Sequence, residues 1–472
     1  MKDTATDIET GVPIARTLAR FVVDLDPGTI PAEVSERARH LILDALGIAV
    51  ASTGYDFAHR AHSALAELGA GGSRRAIGFG TRLQPRDAAM LNGLLIHGLD
   101  YDDTHTPGVI HATAPVLPAA LTMALETGST GEDMQTAYIA GMEVATRLGT
   151  VARGGFHQVG FHPTGIVGIF GATVAAGRLR GLTEAQLAAA QGIALSMASG
   201  SLEFLQDGAW TKRMHPGWAA SAAITAVTMA RHGYAAPKAV YEGRFGFFNL
   251  YLGERAAQAD LSIATGELGA TWEIMNVAVK PMPACHFTHA CADAAVALRA
   301  EHGLVADDIE DVIALVPEEV IKTVCEPRET KIKPQNSYDA QFSIPYAVAS
   351  GLLRGQFGLT DLDPEGYTDP EALALMTRVR HETDPNSRFP KYYSGEVIVR
   401  TKDGRELRHR EEVNRGAADR PLTAEDITAK YTENACTTRT APRAETLRAA
   451  IMSLHEAQSL DRIERLLAGQ AN

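Results

Sequence analysis

Cysteine is scarce in this chain: Cys285, Cys291, Cys325 and Cys436 are spread over 472 positions. So few and so scattered, they exclude a disulfide framework and fit a reducing compartment. No two stand in C-x-x-C spacing, and Cys285, His286, His289 and Cys291 form only a loose zinc-like grouping. Positive charge is also short. There are 44 Lys and Arg against 57 Asp and Glu, a net charge of −13, so no nucleic-acid or anionic-membrane partner is expected. No uninterrupted apolar run reaches the ~18 residues of a bilayer span. The opening MKDTATDIETG shows no basic stretch followed by an apolar one, and the expectation is a cytoplasmic protein. P-loop, serine elbow, strand-linked GxGxxG and internal repeat are all missing.

What is present is an ordinary globular composition, 45% hydrophobic and 21% charged, long enough for two or three domains. From Thr10 to about Arg255, Ala and Leu recur at three- and four-residue spacing between Gly, Pro or Asn turns. The spacing predicts helices over 32–52, 85–98, 114–127, 131–149, 183–199 and 219–232, with Pro85 in a first turn and Thr130 and Thr183 as N-caps. Between about 273 and 413 the pattern changes. IEDVIALVPEEVI predicts a strand, GEVIVRTKDGRELRHREEV predicts two strands around Asp403-Gly404, and helices fall at 286–302, 337–353 and 370–381. After Pro421 helical spacing returns in TAEDITAKY and RAETLRAAIMSL. The fold class is therefore mainly α: a large helical domain over 1–271, an inserted smaller α+β domain over 272–413, and C-terminal helices over 414–472 that rejoin the first domain.

The costliest side chains to desolvate gather in HGLDYDDTHTPGVIH, residues 97–111, which holds three carboxylates and three imidazoles beside apolar helical sequence. From spacing alone, His97, Asp100, Asp102 and Asp103 are open to metal ligation. Asp100 or Asp103 is equally open to capping a neighbouring helix and Thr104 to capping the next, and His105 reads as marginal and exposed. His162 in FHPTG precedes Gly165, Gly168 and Gly171, whose spacing puts small residues on one helix face for close packing; His157 is ambiguous. In TKRMHPGW, Lys212, Arg213 and His215 stand just before a helix read to open at Pro216, where amides and cations together hold anions. A solvated basic turn is the alternative, against which Trp210 and Trp218 argue for burial. Lys280 in VKPMPACHFTH is a similar cation at the domain junction.

If these segments converge, two lysines, several histidines and a buried carboxylate form a cage suited to a small di- or tricarboxylate. Fixed ammonium groups stabilise the charge that builds when a proton leaves the carbon beside a carboxylate. One imidazole can take that proton and another can deliver one to a leaving group. The cysteines do not supply iron–sulfur ligand spacing, so the chemistry is expected from side chains alone, with no cofactor and no metal.

HGLDYDDTH followed by His111, then GFHPTG, TKRMHPGWAA, KPMPACHFTHA and FSIPYAVA, resemble the MmgE/PrpD family over nearly the whole chain. The family contains 2-methylcitrate dehydratases, cis-aconitate decarboxylases and an iminodisuccinate epimerase. The resemblance implies a helical domain with an inserted α+β lid, a homodimer and metal-independent chemistry. Carried over from the decarboxylase branch, it implies a pocket of Asp100, Thr104, His111, His162, Lys212, Lys280 and Tyr346. His111 and His162 would transfer protons, Lys212 and Lys280 would bind carboxylates, and Tyr346 would donate from the lid. His215 and Arg213 of the TKxxH segment would add to the wall. Relative to animal decarboxylases one residue is inserted between Thr104 and His111. A tyrosine of the epimerase branch aligns with His157, which would then be a substitute base.

The leading reading is a cofactor-independent lyase acting on a small polycarboxylate, a dehydratase first, with decarboxylation second and epimerisation third. The rivals from other classes are a metal-dependent hydrolase using Asp100, Asp102 and Asp103, and a noncatalytic polycarboxylate-binding protein.

Overall fold

The computed structural model describes residues 11–470 of the chain. The opening segment read for targeting and Thr10, the start of the helical pattern, lie outside the described residues. The chain is mainly helical, and long helices are built where Ala-rich spacing was read: Ala32–Ser52, Pro85–His97, Thr113–Thr127, Gly131–Val151 and Thr211–Arg231. Thr130 and Thr183 each cap a helix through a reciprocal bond with the third helical residue, Asp133 and Gln186. Among the described residues no single helix is long and apolar enough to cross a membrane.

Two buried cores divide the chain. The first gathers apolar residues from Ala15 to Val279 and again from Ile427 to Leu467, so these two segments share one interior. The second is built from residues 282 to 407, joined by Val109 and Phe204 from the first segment. Its sheet runs in the order Val379–Thr383, Ile309–Val316, Gly395–Thr401, Glu406–Glu411. Val312 pairs in parallel with Val379 and antiparallel with Val399, and Val399 pairs antiparallel with Leu407. The helices His289–His302 and Ile344–Arg354 supply buried residues to the same core.

Three local departures from the sequence reading have physical causes. Residues 379–381, read as the end of a helix, belong to a strand over 379–383 that pairs in parallel with 312–316, a long-range contact that overrides local propensity. The predicted helix over 337–353 breaks at Ser343, whose hydroxyl caps Ile344–Arg354 by accepting from the Tyr346 N–H. The helix expected to open at Pro216 begins at Thr211, so Pro216 lies inside it and removes the N–H that would have bonded the Lys212 carbonyl.

Close helix packing sets the site. A Cβ at Gly93 would sit 2.8 Å from the Gly217 Cα, so only glycine lets Pro85–His97 and Thr211–Arg231 approach this far. Gly171 plays the same part, since a Cβ there would lie 2.8 Å from the Ala145 side chain. The short strands Thr104–His105 and Val277–Ala278 pair antiparallel, which carries Lys280 back to Asp100. From the C-terminal segment, Lys430 bonds the Tyr101 carbonyl at 2.9 Å and pairs with buried Asp44 at 2.8 Å, bracing the same loop from behind.

Candidate active site

The helix Pro85–His97 ends just before Leu99, and Asp100 follows in the left-handed region at φ 50°. Val109, a β-branched residue nine positions on, has the same φ. Such backbone costs about 1–3 kcal/mol per residue and persists only where the surroundings hold it, as they do here. Lys280 Nζ bonds both the Asp100 carbonyl, at 2.8 Å, and its Oδ1, at 2.7 Å. Lys212 Nζ bonds Oδ2 at 2.8 Å and lies 4.7 Å over the Phe342 ring.

The three aspartates of the motif therefore do three different jobs. Asp100 is the anchor of two buried ammonium groups. Burial pushes its pKa up, but Lys212 and Lys280, then His111 and His97, outweigh it and hold the carboxyl well below the usual range. Asp102 accepts from His97 Nδ1 at 2.8 Å, and although burial opposes it, His97 brings its pKa down to about 2. Asp103 accepts from the Thr113 N–H and hydroxyl at the start of the next helix, and burial reinforced by Asp102 raises its pKa to about 7. Capping thus falls to Asp103, not Asp100. His105, read as exposed, is fully buried: its Nε2 bonds Glu273 at 3.1 Å and its Nδ1 accepts the Gly108 N–H.

Asp100, Thr104, His111, His157, His162, Lys212 and Lys280 all line one cavity between the two cores. The carbonyl of Asp103 can only accept, so the 2.7 Å contact to His111 Nδ1 places the proton on that nitrogen and leaves a lone pair on Nε2. His162 Nδ1 meets His215 Nδ1 at 3.1 Å, which places His215 behind His162 and outside the wall. His157 lines both this cavity and an adjoining open cleft, so it stands at the mouth. Burial is the main cause that depresses every one of these imidazoles. His157 and His215 fall to about 4, and His111 and His162 fall well below their ordinary value, His111 aided by Lys280 and His162 by His215 and Lys212. All four are neutral at neutral pH.

Besides His215, two sequence-predicted residues do not join. Tyr346 is fully buried inside the second core, where its hydroxyl donates to the Asp361 carbonyl and accepts from Arg354. Arg213 turns away, its Nε bonding the Gly98 carbonyl at 2.6 Å and its guanidinium lying between the Phe57 and Tyr338 rings. Lys212, Arg213 and His215 are all buried, so the basic turn is not solvated, yet Trp210 and Trp218 that argued for burial are 46% and 39% exposed.

Sequence reasoning missed Tyr393, Phe342, Cys285 and His286 as wall residues. Asn414 Oδ1 accepts the Tyr393 N–H, so its Nδ2 donates to His286 Nε2 at 2.8 Å, and the remaining His286 proton is on Nδ1. The loose zinc-like grouping at 285–291 dissolves on folding. His289 Nε2 bonds the Ala284 carbonyl, Cys291 Sγ bonds the Leu315 carbonyl, and among the described residues no metal-competent cluster includes them. The clusters that could hold an ion are His97, His111 and His162, or His97, Asp100, Asp102 and His111.

A mainly helical protein that encloses paired lysines and neutral imidazoles in one cavity is built to receive an anion. Residues 16–260 match the MmgE/PrpD N-terminal domain and residues 282–456 the MmgE/PrpD C-terminal domain. The chain belongs to the MmgE/PrpD family. It is 28% identical to the cis-aconitate decarboxylase of Homo sapiens, over 97% of this chain and 95% of that protein. It is 27% identical to that of Mus musculus, over 97% and 93%. To that of Aspergillus terreus it is 30% identical, over 60% and 59%.

Proposed function

We propose that this protein is a side-chain-only carboxy-lyase acting on a small unsaturated tricarboxylate of the cis-aconitate type. The observation that carries the reading is Asp100 between Lys212 and Lys280 at 2.8 and 2.7 Å, facing His111 and His162 across one cavity. Each ammonium has three N–H donors. Lys212 spends one on Asp100 and Lys280 spends two, so three remain for substrate carboxylates.

Decarboxylation of an alkene tricarboxylate with a shift of the double bond consumes one proton. The C–CO2 bond breaks, its electron pair forms the new C=C, the old C=C takes a proton at its far carbon, and neutral CO2 departs. Burial and Lys280 keep His111 neutral in the free protein. A multiply charged anion beside it reverses that field, so His111 gains a proton on Nε2 as substrate enters and delivers it to carbon. The Asp103 carbonyl and Thr104 fix the ring through Nδ1. We also assign the second core the role of a lid and keep a homodimer as the expected assembly.

The sequence alone ranked dehydration first; relatives named as decarboxylases favour the second-ranked branch. The test is proton NMR of the EDTA-treated protein with cis-aconitate and 2-methylcitrate in parallel. Loss of cis-aconitate with CO2 release and a five-carbon dicarboxylate is expected. Dehydration of 2-methylcitrate with cis-aconitate untouched would return the protein to the hydro-lyase branch.

A further inference from the structure

His111 and His162 of the cavity wall, together with the buried His97 beside them, have a second property that proton transfer does not need. One nitrogen from each of His97, His111 and His162 lies within 4.8 Å of the other two. The ring centroids are 4.9 Å apart for His97 and His111, 5.5 Å for His97 and His162, and 6.2 Å for His111 and His162. In each ring Nδ1 is already engaged: by the Asp102 carboxylate in His97, by the Asp103 carbonyl in His111, and by His215 in His162. The Nε2 atoms of His97 and His162 are buried without a hydrogen-bond partner among the described residues. A buried polar nitrogen without a partner is costly, and such exceptions call for an explanation.

We infer that His97, His111 and His162 form a transition-metal site, taking a zinc-class divalent ion through their three Nε2 atoms with the fourth position open to the cavity. An imidazole ligand whose other nitrogen donates to a carboxylate or carbonyl is the usual supporting arrangement for such ions, and Asp102 and the Asp103 carbonyl provide it. His162 completes the set in the tautomer whose Nδ1 donates to His215 Nδ1, which frees Nε2 for the ion. The alternative set through Asp100 and Asp102 is less apt, because Asp100 is held by two lysines and Asp102 by His97. Tetrahedral coordination at about 2.0–2.1 Å puts ligand nitrogens about 3.3 Å apart, so any pair standing wider within the 4.8 Å limit closes inward on loading.

The ion and the proposed reaction compete for the same atom. A metal on His111 Nε2 takes the lone pair that would carry the proton, so the loaded protein is silent and the site is inhibitory. That consequence rests on the proposed function; binding does not.

The test uses the full-length protein, stripped with EDTA and dialysed, titrated with cobalt(II) and zinc, and the zinc form examined by X-ray absorption. One equivalent is expected to bind, with tetrahedral cobalt bands and three nitrogen neighbours of imidazole type at about 2.0–2.1 Å. His97→Ala should abolish these signals, and Asp102→Asn should weaken binding about 10–100-fold. A sulfur neighbour at about 2.3 Å, as Cys285 would give, or no stoichiometric binding by the wild-type protein, would overturn the site whether or not the variants fold. Inhibition that tracks occupancy and is reversed by EDTA is expected. Full turnover with the three-imidazole ion in place would instead refute His111 as proton donor while leaving the site established.

Discussion

Replacing Lys212 with methionine removes one ammonium from the cavity, the group that lies over Phe342, and keeps an unbranched side chain one atom shorter. In the wild type that ammonium bonds Asp100 Oδ2 at 2.8 Å and presents two further donors. A hydrogen bond to a charged group contributes about 1.5–3 kcal/mol, and 1.4 kcal/mol is tenfold, so losing one such bond to substrate lowers kcat/KM about 10- to 150-fold. Stability also falls, because breaking a buried ion pair costs about 3–5 kcal/mol when a charge is left alone. Asp100 keeps Lys280 at 2.7 Å, so the loss lies at or below the lower end of that range. The assay is steady-state decarboxylation of cis-aconitate at neutral pH, beside a urea titration of each protein. A kcat/KM within twofold of wild type in a folded Lys212→Met variant would refute the carboxylate-binding role and the cation pair as the basis of recognition.

Three further outcomes follow from the same geometry. Binding of a saturated tricarboxylate analogue should take up as much as one proton near neutral pH, because His111 is held neutral in the free protein by burial and Lys280 and charges beside an anion. Calorimetry in buffers of different ionisation enthalpy reads this, and buffer-independent heats would contradict it. Asp103 has its folded pKa raised to about 7 by burial and Asp102, so its contribution to stability is present below the ordinary carboxyl range near 4 and lost as pH rises through 7. Asp103→Asn should show a shallower decline in Tm between pH 5 and 8 than wild type, with the remainder left to Glu143, raised to about 7 by burial; parallel curves would contradict the assignment. Tyr346→Phe should cost about 1–3 kcal/mol of stability, since it strips the Asp361 carbonyl of its donor, and leave kcat/KM within twofold. A fully stable Tyr346→Phe variant without activity would put that hydroxyl back in the site.

The parts legible from sequence were those specified locally. Ala32–Ser52 emerges at the bounds its spacing predicts, and the Asp403-Gly404 turn sets strands whose register brings Arg400 opposite Glu406. Within the site, Asp100, Thr104, His111, His162, Lys212 and Lys280 were legible as residue types in ordered motifs, and the structure brings them to one cavity. His97 and Asp102 stood in the same motif, yet five residues of separation across a helix end gave no sign that they pair. Tyr393 and Asn414 were invisible because their placement depends on how residues 384–414 fold over the first core, with Tyr393 donating to the Thr106 carbonyl nearly 290 positions earlier in the chain. The displacement of Tyr346 has the opposite cause: its motif is intact, but the tyrosine at that position points into the second core.

The most direct test of the central claim is turnover of cis-aconitate by the EDTA-treated protein in D2O. The account predicts CO2 release with a single solvent deuterium on a carbon of the product, and a rate about 10²–10⁴-fold lower for His111→Asn. A product free of solvent deuterium, or a His111→Asn variant as fast as wild type, would contradict proton delivery by His111 in this cavity.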